Sequence, residues 1–236
     1  MSEWKAKRFW SEAAVKASED GYSVLLDGRP VKTPAKTHLV VPTDAMAQAI
    51  AAEWDAQEEA IDPLTMPVTR GANAALDKVS VQFKEVAEML AEYGDTDLLC
   101  YRAEGPEGLV QRQTSLWDPL LDWAHDTYDA RLLPAQGVIH VAQDGAALAK
   151  LSAPVQAMTA FELAGFHDLV SISGSLVLGL AVTHGRLPAE EAWALSRLDE
   201  DWQIEQWGPD EEAEAVADKK KADFLNAAKF YQLSRS

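Results

Sequence analysis

Two acidic stretches of the sequence hold the side chains best suited to chemistry. The first, GDTDLLCYRAE (94–104), places Asp95 and Asp97 two residues apart, and the second, DEDWQIEQWG (199–208), sets four carboxylates among two tryptophans and an isoleucine. Paired carboxylates act as general acid and base when burial or a neighbouring charge moves their pKa values apart. A hydrolase that uses Asp95, Asp97 and Glu200 is therefore one hypothesis. It requires a concave pocket that contains two of them.

Other kinds of enzymatic site find no support in the sequence. The five histidines are scattered and Cys100 is the only cysteine, so zinc-ligand spacing and an internal disulfide are both missing. Asp122, His125 and Asp126 lie at helical spacing, but no Gly-x-Ser-x-Gly motif supplies a nucleophilic serine. DGRPVKTP (27–34) lacks the glycine spacing of a phosphate-binding loop. The sequence therefore predicts no catalytic residue, no metal and no cofactor.

A structural interpretation of the first acidic stretch is favoured over a catalytic one. Asp95 and Asp97 follow Gly94, where aspartate is a typical cap of a short helix. Arg102 is expected to pair with one of these acids. Cys100 lies in an apolar run, so it is expected to be a core thiol and not a nucleophile.

The composition limits the class of partner. The chain has 236 residues, of which 47% are hydrophobic, enough to bury a sizeable core. Its formal net charge of -17 argues against binding to nucleic acid or to an anionic membrane surface. The most apolar run, at 169–182, is shorter than the roughly 18–20 residues that span a bilayer, so a buried helix and no membrane insertion are predicted.

The pattern of apolar residues changes near residue 43. Before it, the Asp-Gly pair at 27–28 separates two β-prone runs, which predicts a tight hairpin with positive φ at the turn. Further β-prone runs at 12–18 and 37–42 indicate a small antiparallel sheet. After it, Thr43 is the predicted N-cap of a helix over 44–60, where apolar residues recur at steps of three and four.

Nearly everything after residue 62 has the helical period. Helices are predicted near 68–92, 107–129 with a bend at Pro119, 146–163, 166–184, 188–206 and 211–232. A Pro/Gly-rich loop with a short strand is expected at 131–145. The predicted fold class is α+β: a small antiparallel-sheet N-terminal domain over 1–64, with hairpins and the helix 44–60, followed by an orthogonal all-helical C-terminal domain over 65–236.

The second acidic stretch falls at the end of the predicted helix 188–206. Three apolar residues cluster on one side of the helix, as expected for packing on a core: Leu195, Leu198 and Trp202. A second apolar stripe, with Glu200 inside it and Arg197 beside it, falls on roughly the opposite side: Trp193, Ile204 and Trp207. Burial of both sides is one interpretation. A protein-binding surface is favoured, since carboxylates are rarely buried without a partner.

Seven blocks of the sequence, in order along the chain, resemble the assembly chaperones for the α subunit of the F-type ATP synthase head, a family of mitochondria and alphaproteobacteria. They extend over nearly the whole chain: LDGRPVKTPAK (26–36), AAEWDAQ (51–57), TMPVTR (65–70), DTDLLCYRAEGPEGL (95–109), WDPLLDWA (117–124), GSLVLGLA (174–181) and DEDWQIEQWG (199–208).

This resemblance implies a chaperone without enzymatic activity. It would bind the free α subunit at a surface later covered by the β subunit, and so prevent aggregation before the hexamer forms. The resemblance also implies a functional role for acids near the WQIxxWG motif, here Glu200 and Glu205 beside Trp207. Together with the helical stripe, the predicted partner-binding residues are Glu200, Glu205, Trp207, Trp193, Ile204 and Arg197.

Several further expectations accompany the resemblance. The start of the chain, MSEWKAKRFW, does not resemble the transit sequence of mitochondrial members, which favours a protein of the bacterial cytoplasm, with the mitochondrial matrix for eukaryotic relatives. The free protein is expected to be a monomer. The segment 209–224 matches no family pattern, so no role is predicted for it. A permanent structural adaptor remains a third hypothesis beside the chaperone and the hydrolase.

Overall fold

The computed structural model describes residues 7–236, and residues 1–6, which begin the stretch compared above with a transit sequence, lie outside this description. The chain forms two compact units. The first runs to Phe83 and adds Thr159–Gly165 and Lys229–Ser236; the second contains Lys84–Met158 and Phe166–Ala228. The division predicted from the sequence, into an α+β domain over 1–64 and a helical domain over 65–236, stays a prediction.

A small antiparallel sheet forms the β-part of the first unit. Alternate residues of the central strand, Val24 and Leu26, are buried, as expected for a strand with one side on the core. The α+β fold class predicted from the sequence is confirmed. The central strand is β2 (Gly21–Leu26), and its antiparallel partners are β1 (Ala13–Ser18), β3 (Arg29–Pro30) and β4 (Val40–Val41).

The turn between β2 and β3 has the predicted positive φ, 49° at Asp27 and 79° at Gly28. A Cβ atom at Gly28 would meet no atom within 4 Å, so only backbone strain opposes a larger residue. We expect Gly28→Val to lower the free energy of unfolding by roughly 1–3 kcal/mol. Gly28→Asn is the matched control, because asparagine tolerates this conformation. Urea unfolding measures both variants, and equal stabilities would contradict this account of the turn.

The first helix, α1 (Asp44–Asp55), begins as predicted and ends earlier than predicted. The Thr43 side chain accepts a hydrogen bond from the Met46 N–H at 3.1 Å, which confirms the predicted N-cap. The predicted end at residue 60 is wrong. The buried Gln57 amide donates to the Glu53 carbonyl and accepts from the Asp62 N–H at 2.7 Å, so it stabilises a turn instead of a further helical turn.

The remainder of the described chain is mostly helical. A two-residue parallel pair, β5 (Tyr101–Arg102) with β6 (Ala135–Gln136), confirms the short strand predicted within 131–145. Within residues 7–236, no helix has both the length and the apolar character needed to cross a lipid bilayer. The helices are α2 (Pro67–Ala74), α3 (Phe83–Glu92), α4 (Glu107–Tyr128), α5 (Gly145–Gln156), α6 (Ala160–Ser173), α7 (Leu176–Thr183), α8 (Ala189–Ser196), α9 (Leu198–Trp207) and α10 (Glu211–Leu233).

The single helix predicted over 68–92 is wrong, because the structure breaks it between α2 and α3. A π-helical turn at Ala75–Val79 follows α2, and the Ser80 N–H donates to the Ala75 carbonyl at 2.9 Å. The Ser80 hydroxyl also donates to the Leu76 carbonyl. The Ser80 N–H thus bypasses its α-helical acceptor, the Leu76 carbonyl, which accepts the Ser80 hydroxyl instead, and the regular helix resumes only at Phe83.

The helix boundaries predicted at 163 and 166 are also wrong, since α6 runs through them. Thr159 and Glu162 form a reciprocal capping box that starts α6: the Thr159 N–H donates to the Glu162 carboxylate at 2.7 Å, and the Glu162 N–H donates back to the Thr159 hydroxyl. At the other end Gly174, with φ of 71°, stops α6, and Ser175 caps α7. The Thr-x-x-Glu spacing is a sequence signal that could have located this boundary.

Candidate functional site

The stretch DEDWQIEQWG does not continue the preceding helix. The predicted single helix 188–206 is wrong, because α8 ends at Ser196 and α9 begins at Leu198, with Arg197 between them at φ -105° and ψ 7°. Across this break the Trp117 indole N–H donates to the Leu195 carbonyl at 3.0 Å. This hydrogen bond joins the end of α8 to α4 directly before the break.

One side of α9 is attached to α4 by polar side chains. Arg112 donates two hydrogen bonds to the Glu205 carboxylate, at 2.7 and 2.8 Å, and its guanidinium lies 4.7 Å from the centre of the Trp202 ring. The Gln113 amide donates to Asp199 at 2.7 Å. Arg112 also lowers the pKa of the Glu205 carboxyl through these hydrogen bonds. A bidentate pair fixes orientation, so α9 is presented in one position.

The other side of α9 faces solvent and has both apolar and acidic groups. The Trp207 side chain is 78% exposed, and Ile204, one turn earlier, is half-buried. The Glu200 carboxylate lies 3.2 Å from the Arg197 guanidinium and keeps half of its surface exposed. Burial raises the pKa of Asp201, Arg197 lowers it, and Glu200 raises it again. A tryptophan this exposed, beside carboxylates, is typical of a protein-binding surface.

These residues line a groove between α9 and the first half of α10, with a volume of about 1000 Å³. Of the six residues predicted to bind a partner, five line this groove; Glu205, which is bound to Arg112, does not. The structure thus gives the two acids different surroundings: Glu200, which the helical stripe already favoured, faces the groove, and Glu205 attaches α9 to α4. We call the space the α9–α10 groove, lined on the α8–α9 side by Trp193, Arg197, Glu200, Asp201, Gln203, Ile204 and Trp207.

Trp193 is buried, although the sequence predicted that it belongs to an exposed stripe. Its side chain is only 8% exposed, its ring lies 6.0 Å from that of Phe224, and the Arg197 guanidinium lies 5.9 Å from its centre. Trp193, Ile204 and Trp207 all line the same groove, but Trp193 is buried there while Trp207 is exposed, and a role of Trp193 in binding a partner stays a prediction. Trp193 forms part of the groove floor.

The second wall of the groove comes from α10, for which the sequence predicted no role. The groove-lining residues of α10 recur at steps of three and four, the signal that could have identified this wall. Asp210 starts the helix by accepting hydrogen bonds from the Glu212 and Ala213 N–H groups, both at 2.9 Å. The main groove-lining residues of α10 are Glu212, Ala213, Val216, Ala217, Lys220 and Lys221.

The first acidic stretch is structural, as favoured from the sequence. Asp97 is fully buried and caps two helices: its carboxylate accepts from the Leu99 N–H at 3.0 Å, the Ser175 hydroxyl at 2.7 Å and the Val177 N–H at 3.0 Å. Asp95 instead lies 3.2 Å from the His140 ring. Asp95 lines one hollow, and Glu200 lines a different one, the α9–α10 groove. Neither of these two spaces contains two of the acids that the hydrolase hypothesis requires.

Arg102 and Cys100 lie beside this cap. The prediction that Arg102 pairs with Asp95 or Asp97 is wrong, since its guanidinium binds Asp118 at 2.7 Å and lies over the Trp117 ring. Cys100 is buried, which confirms the predicted core thiol, and burial raises its pKa to about 12. Within residues 7–236, no group of three His, Cys, Asp or Glu side chains is placed to hold a metal ion.

Burial of Asp97 predicts an unusual pH dependence of stability. Desolvation raises its pKa from 3.8 to about 6, although the hydrogen bonds from Val177, Ser175 and Leu99 oppose the rise. The folded protein thus binds this proton more tightly than the unfolded chain. Its contribution to stability is therefore largest below pH 3.8 and is lost as the pH rises through 6. The difference of about two pKa units corresponds to about 3 kcal/mol.

We test this with Asp97→Asn, which cannot titrate, against the unaltered protein. Urea unfolding from pH 4 to 7.5 gives the free energy of unfolding of each. Over this pH range the difference between the two free energies of unfolding is expected to shift by about 2.5 kcal/mol, towards the variant, as the pH rises. Parallel curves would show that Asp97 keeps an ordinary pKa in the folded protein.

Comparison with known proteins supports the family resemblance. The family model described as "ATP12 chaperone protein" matches residues 7–125. The mitochondrial protein atp12 of Schizosaccharomyces pombe is 28% identical over 223 residues, which cover 89% of this chain and 76% of that protein.

Solved structures extend this similarity over the whole fold. The crystal structure of Atp12 from Paracoccus denitrificans is 52% identical, with a TM-score of 0.96 over 99% of this chain and all of that chain, and an aspartate-to-lysine mutant of the same protein gives equal values. The Atu1473 protein of Agrobacterium tumefaciens is 44% identical, with a TM-score of 0.88 over 94% of this chain and 85% of that one. The chain therefore belongs to the ATP12 family of ATP synthase assembly chaperones.

Proposed function

We propose that this protein binds the free α subunit of the F-type ATP synthase and prevents its aggregation until the α subunit assembles with the β subunit. The observation that carries the proposal is the exposed side of α9, where Trp207 is 78% exposed and Glu200, two helical turns earlier, is half-exposed. Leaving a tryptophan in water forgoes the free energy of burying it, about 25 cal/mol per Å² of apolar surface. Such a side chain is typical of an anchor for a partner.

Pre-organisation of α9 supports the same proposal. The bidentate Arg112–Glu205 pair and the Arg112–Trp202 contact fix α9 on α4 before any partner arrives. A surface that is already ordered loses less conformational entropy on binding, and its affinity is higher for the same contacts. The proposed partner-binding residues are Glu200, Trp207, Ile204 and Arg197 as direct contacts, Trp193 as the groove floor, and Glu205 through its support of α9.

The proposed chaperone has no catalytic role and acts as a monomer when free. The family and the separation of Asp95, Asp97 and Glu200 favour a chaperone over the alternative carboxylate-dependent hydrolase. The similarity to Paracoccus denitrificans Atp12 supports a bacterial cytoplasmic location. The acidic surface of a chain with net charge -17 favours a protein partner over nucleic acid.

Light scattering of purified α subunit, alone and with an equimolar amount of this protein, tests the proposal. The chaperone should suppress scattering and co-elute with α in size-exclusion chromatography. Added β subunit should then release it. Persistence of the complex after β is added would favour the permanent adaptor, and undiminished aggregation with no complex would contradict binding of α.

A further inference from the structure

The course of the chain fixes the order of the residues along the α9–α10 groove. At one end the three residues 208–210 connect α9 to α10. At the other end the Trp193 ring packs on the Phe224 ring at 6.0 Å. Trp207 and Glu212 therefore lie towards the connection, and Lys220 and Lys221 lie towards the Trp193–Phe224 contact.

The first half of α10 has little packing of its own. Every residue from 211 to 221 is exposed except Ala217, which is half-buried and lines the groove. Val216, also in the groove, is 57% exposed. Helices in proteins gain most of their stability from packing an apolar side against a neighbour. Here the apolar side of α10 faces an open groove whose opposite wall has Ile204 and Trp207, so the two walls form one incomplete core.

Charge along the groove is polarised. The connection end has the acids Asp210, Glu212 and Glu214 and no base, whereas at the other end the acids are balanced by three bases, Arg197, Lys220 and Lys221. Within the part of the chain that the structure describes, neither lysine forms an ion pair. Six acids and three bases line the groove altogether, an excess of three negative charges: Glu200, Asp201, Asp210, Glu212, Glu214 and Asp218 against Arg197, Lys220 and Lys221.

We propose that the groove receives one amphipathic helix of the free client subunit, with its apolar side towards Ile204 and Val216 and a basic end beside Glu212 and Glu214. The proposal rests on the proposed function, since the client is the subunit that the chaperone protects. Charge complementarity requires an occupant with excess positive charge. The segment is helical because both walls are helices, which leave no strand edge to pair with an extended backbone.

The size of the groove agrees with this occupant. A helix of 10–12 Å diameter that rises 1.5 Å per residue fills roughly 120–170 Å³ per residue. The groove volume of about 1000 Å³ therefore accommodates about two helical turns. A client helix would complete the incomplete core by contacting both walls at once.

Filling the groove tests the proposal. Ala217→Trp places a large ring in the groove, and Ala215→Trp places the same ring on the same half of α10 at an exposed position outside it. Titration with purified free α subunit should show at least tenfold weaker binding for Ala217→Trp and unchanged binding for Ala215→Trp. Equal binding by the two variants, with the unaltered protein binding, overturns the groove but leaves the proposed function intact. No binding by the unaltered protein overturns both.

Charge reversal tests the orientation of the client helix. Glu214→Lys changes a groove-lining acid, and Glu211→Lys changes an acid of the same helical turn that does not line the groove. Both lose the same favourable interaction with the helix N-terminus, so they are matched for effects on α10 itself. We expect only Glu214→Lys to weaken binding, several-fold at low salt. Equal effects of the two variants overturn the assignment of the basic end.

Crosslinking identifies the occupant even if Ala217→Trp fails to fold. Cys100 is buried, so a cysteine introduced by Ala217→Cys is the only accessible thiol in residues 7–236. This thiol is labelled with a benzophenone maleimide, which is a photocrosslinker. Photocrosslinks to the α subunit, mapped by mass spectrometry, should fall at three- and four-residue spacing within one basic amphipathic helix. Crosslinks to strands, or none from a labelled protein that still binds α, overturn the proposal.

Discussion

Glu200→Lys is expected to abolish the complex with the free α subunit while the protein stays folded. Glu200 has no role in attaching α9 to α4, and its only ion pair in the described chain is the half-exposed contact with Arg197. Reversing its charge also removes this pair and one first-turn acid of α9, but both contributions are small at an exposed position, so the main change is to the groove surface. Within an interface that excludes water, the reversal replaces an attraction by a repulsion, and losses of about 2–5 kcal/mol are typical.

The measurement compares three variants with the same change of charge. Glu58→Lys, at an exposed position far from α9 in the sequence, is the control and should bind normally. Glu205→Lys should both weaken binding and lower the melting temperature, because it breaks the bidentate pair with Arg112. Circular dichroism melts and co-purification with α separate these effects. Normal binding by a folded Glu200→Lys variant would place the docking surface elsewhere.

The two tryptophans at the groove should respond to truncation in opposite ways. Trp193 is 8% exposed and packs on Phe224, so Trp193→Ala is expected to lower the free energy of unfolding by about 3–5 kcal/mol. Trp207 is 78% exposed, so Trp207→Ala should leave the free energy of unfolding nearly unchanged. Trp207→Ala should instead weaken binding to the α subunit, with a loss of about 2 kcal/mol or more of binding free energy, as is typical of an anchor residue.

Urea unfolding and titration with α subunit measure the two quantities for each variant. The pair is a matched test, since the same side chain is removed at two positions of one groove. Stability losses for both variants would show that Trp207 also packs in the core. No loss of binding for Trp207→Ala would remove this ring from the interface and leave Glu200 as the main candidate.

The parts of the fold that sequence predicts well depend on local interactions. Thr43 caps α1 with its own side chain, and the 27–28 pair forms its turn by backbone preference, so neither needs a distant residue. The helix predicted near 107–129 forms as α4, because its apolar residues keep one helical period and are buried on one side: Trp117, Leu120, Leu121 and Ala124. The chaperone family was likewise evident from the order of seven blocks.

The parts that sequence predicted poorly depend on contacts between distant segments. The break at Arg197 lies next to the Trp117 hydrogen bond to the Leu195 carbonyl, a contact between positions 78 apart in the chain. Arg102 similarly pairs with Asp118 and not with the acids nearest to it in sequence. A helical wheel assumes one unbroken axis, so it could not show that Trp193 turns inwards while Trp207 stays exposed.

The sequence by itself determined the α+β class, the hairpin, the first helix cap and the concentration of carboxylates and tryptophans in 199–208. Only the tertiary structure decided which of those carboxylates is free to meet a partner. Arg112, 93 positions before Glu205, binds that acid and leaves Glu200 facing the groove. The reason is physical: hydrophobic period and capping act within a few residues, whereas the pairing of a charge depends on which distant side chain folding brings within hydrogen-bond distance.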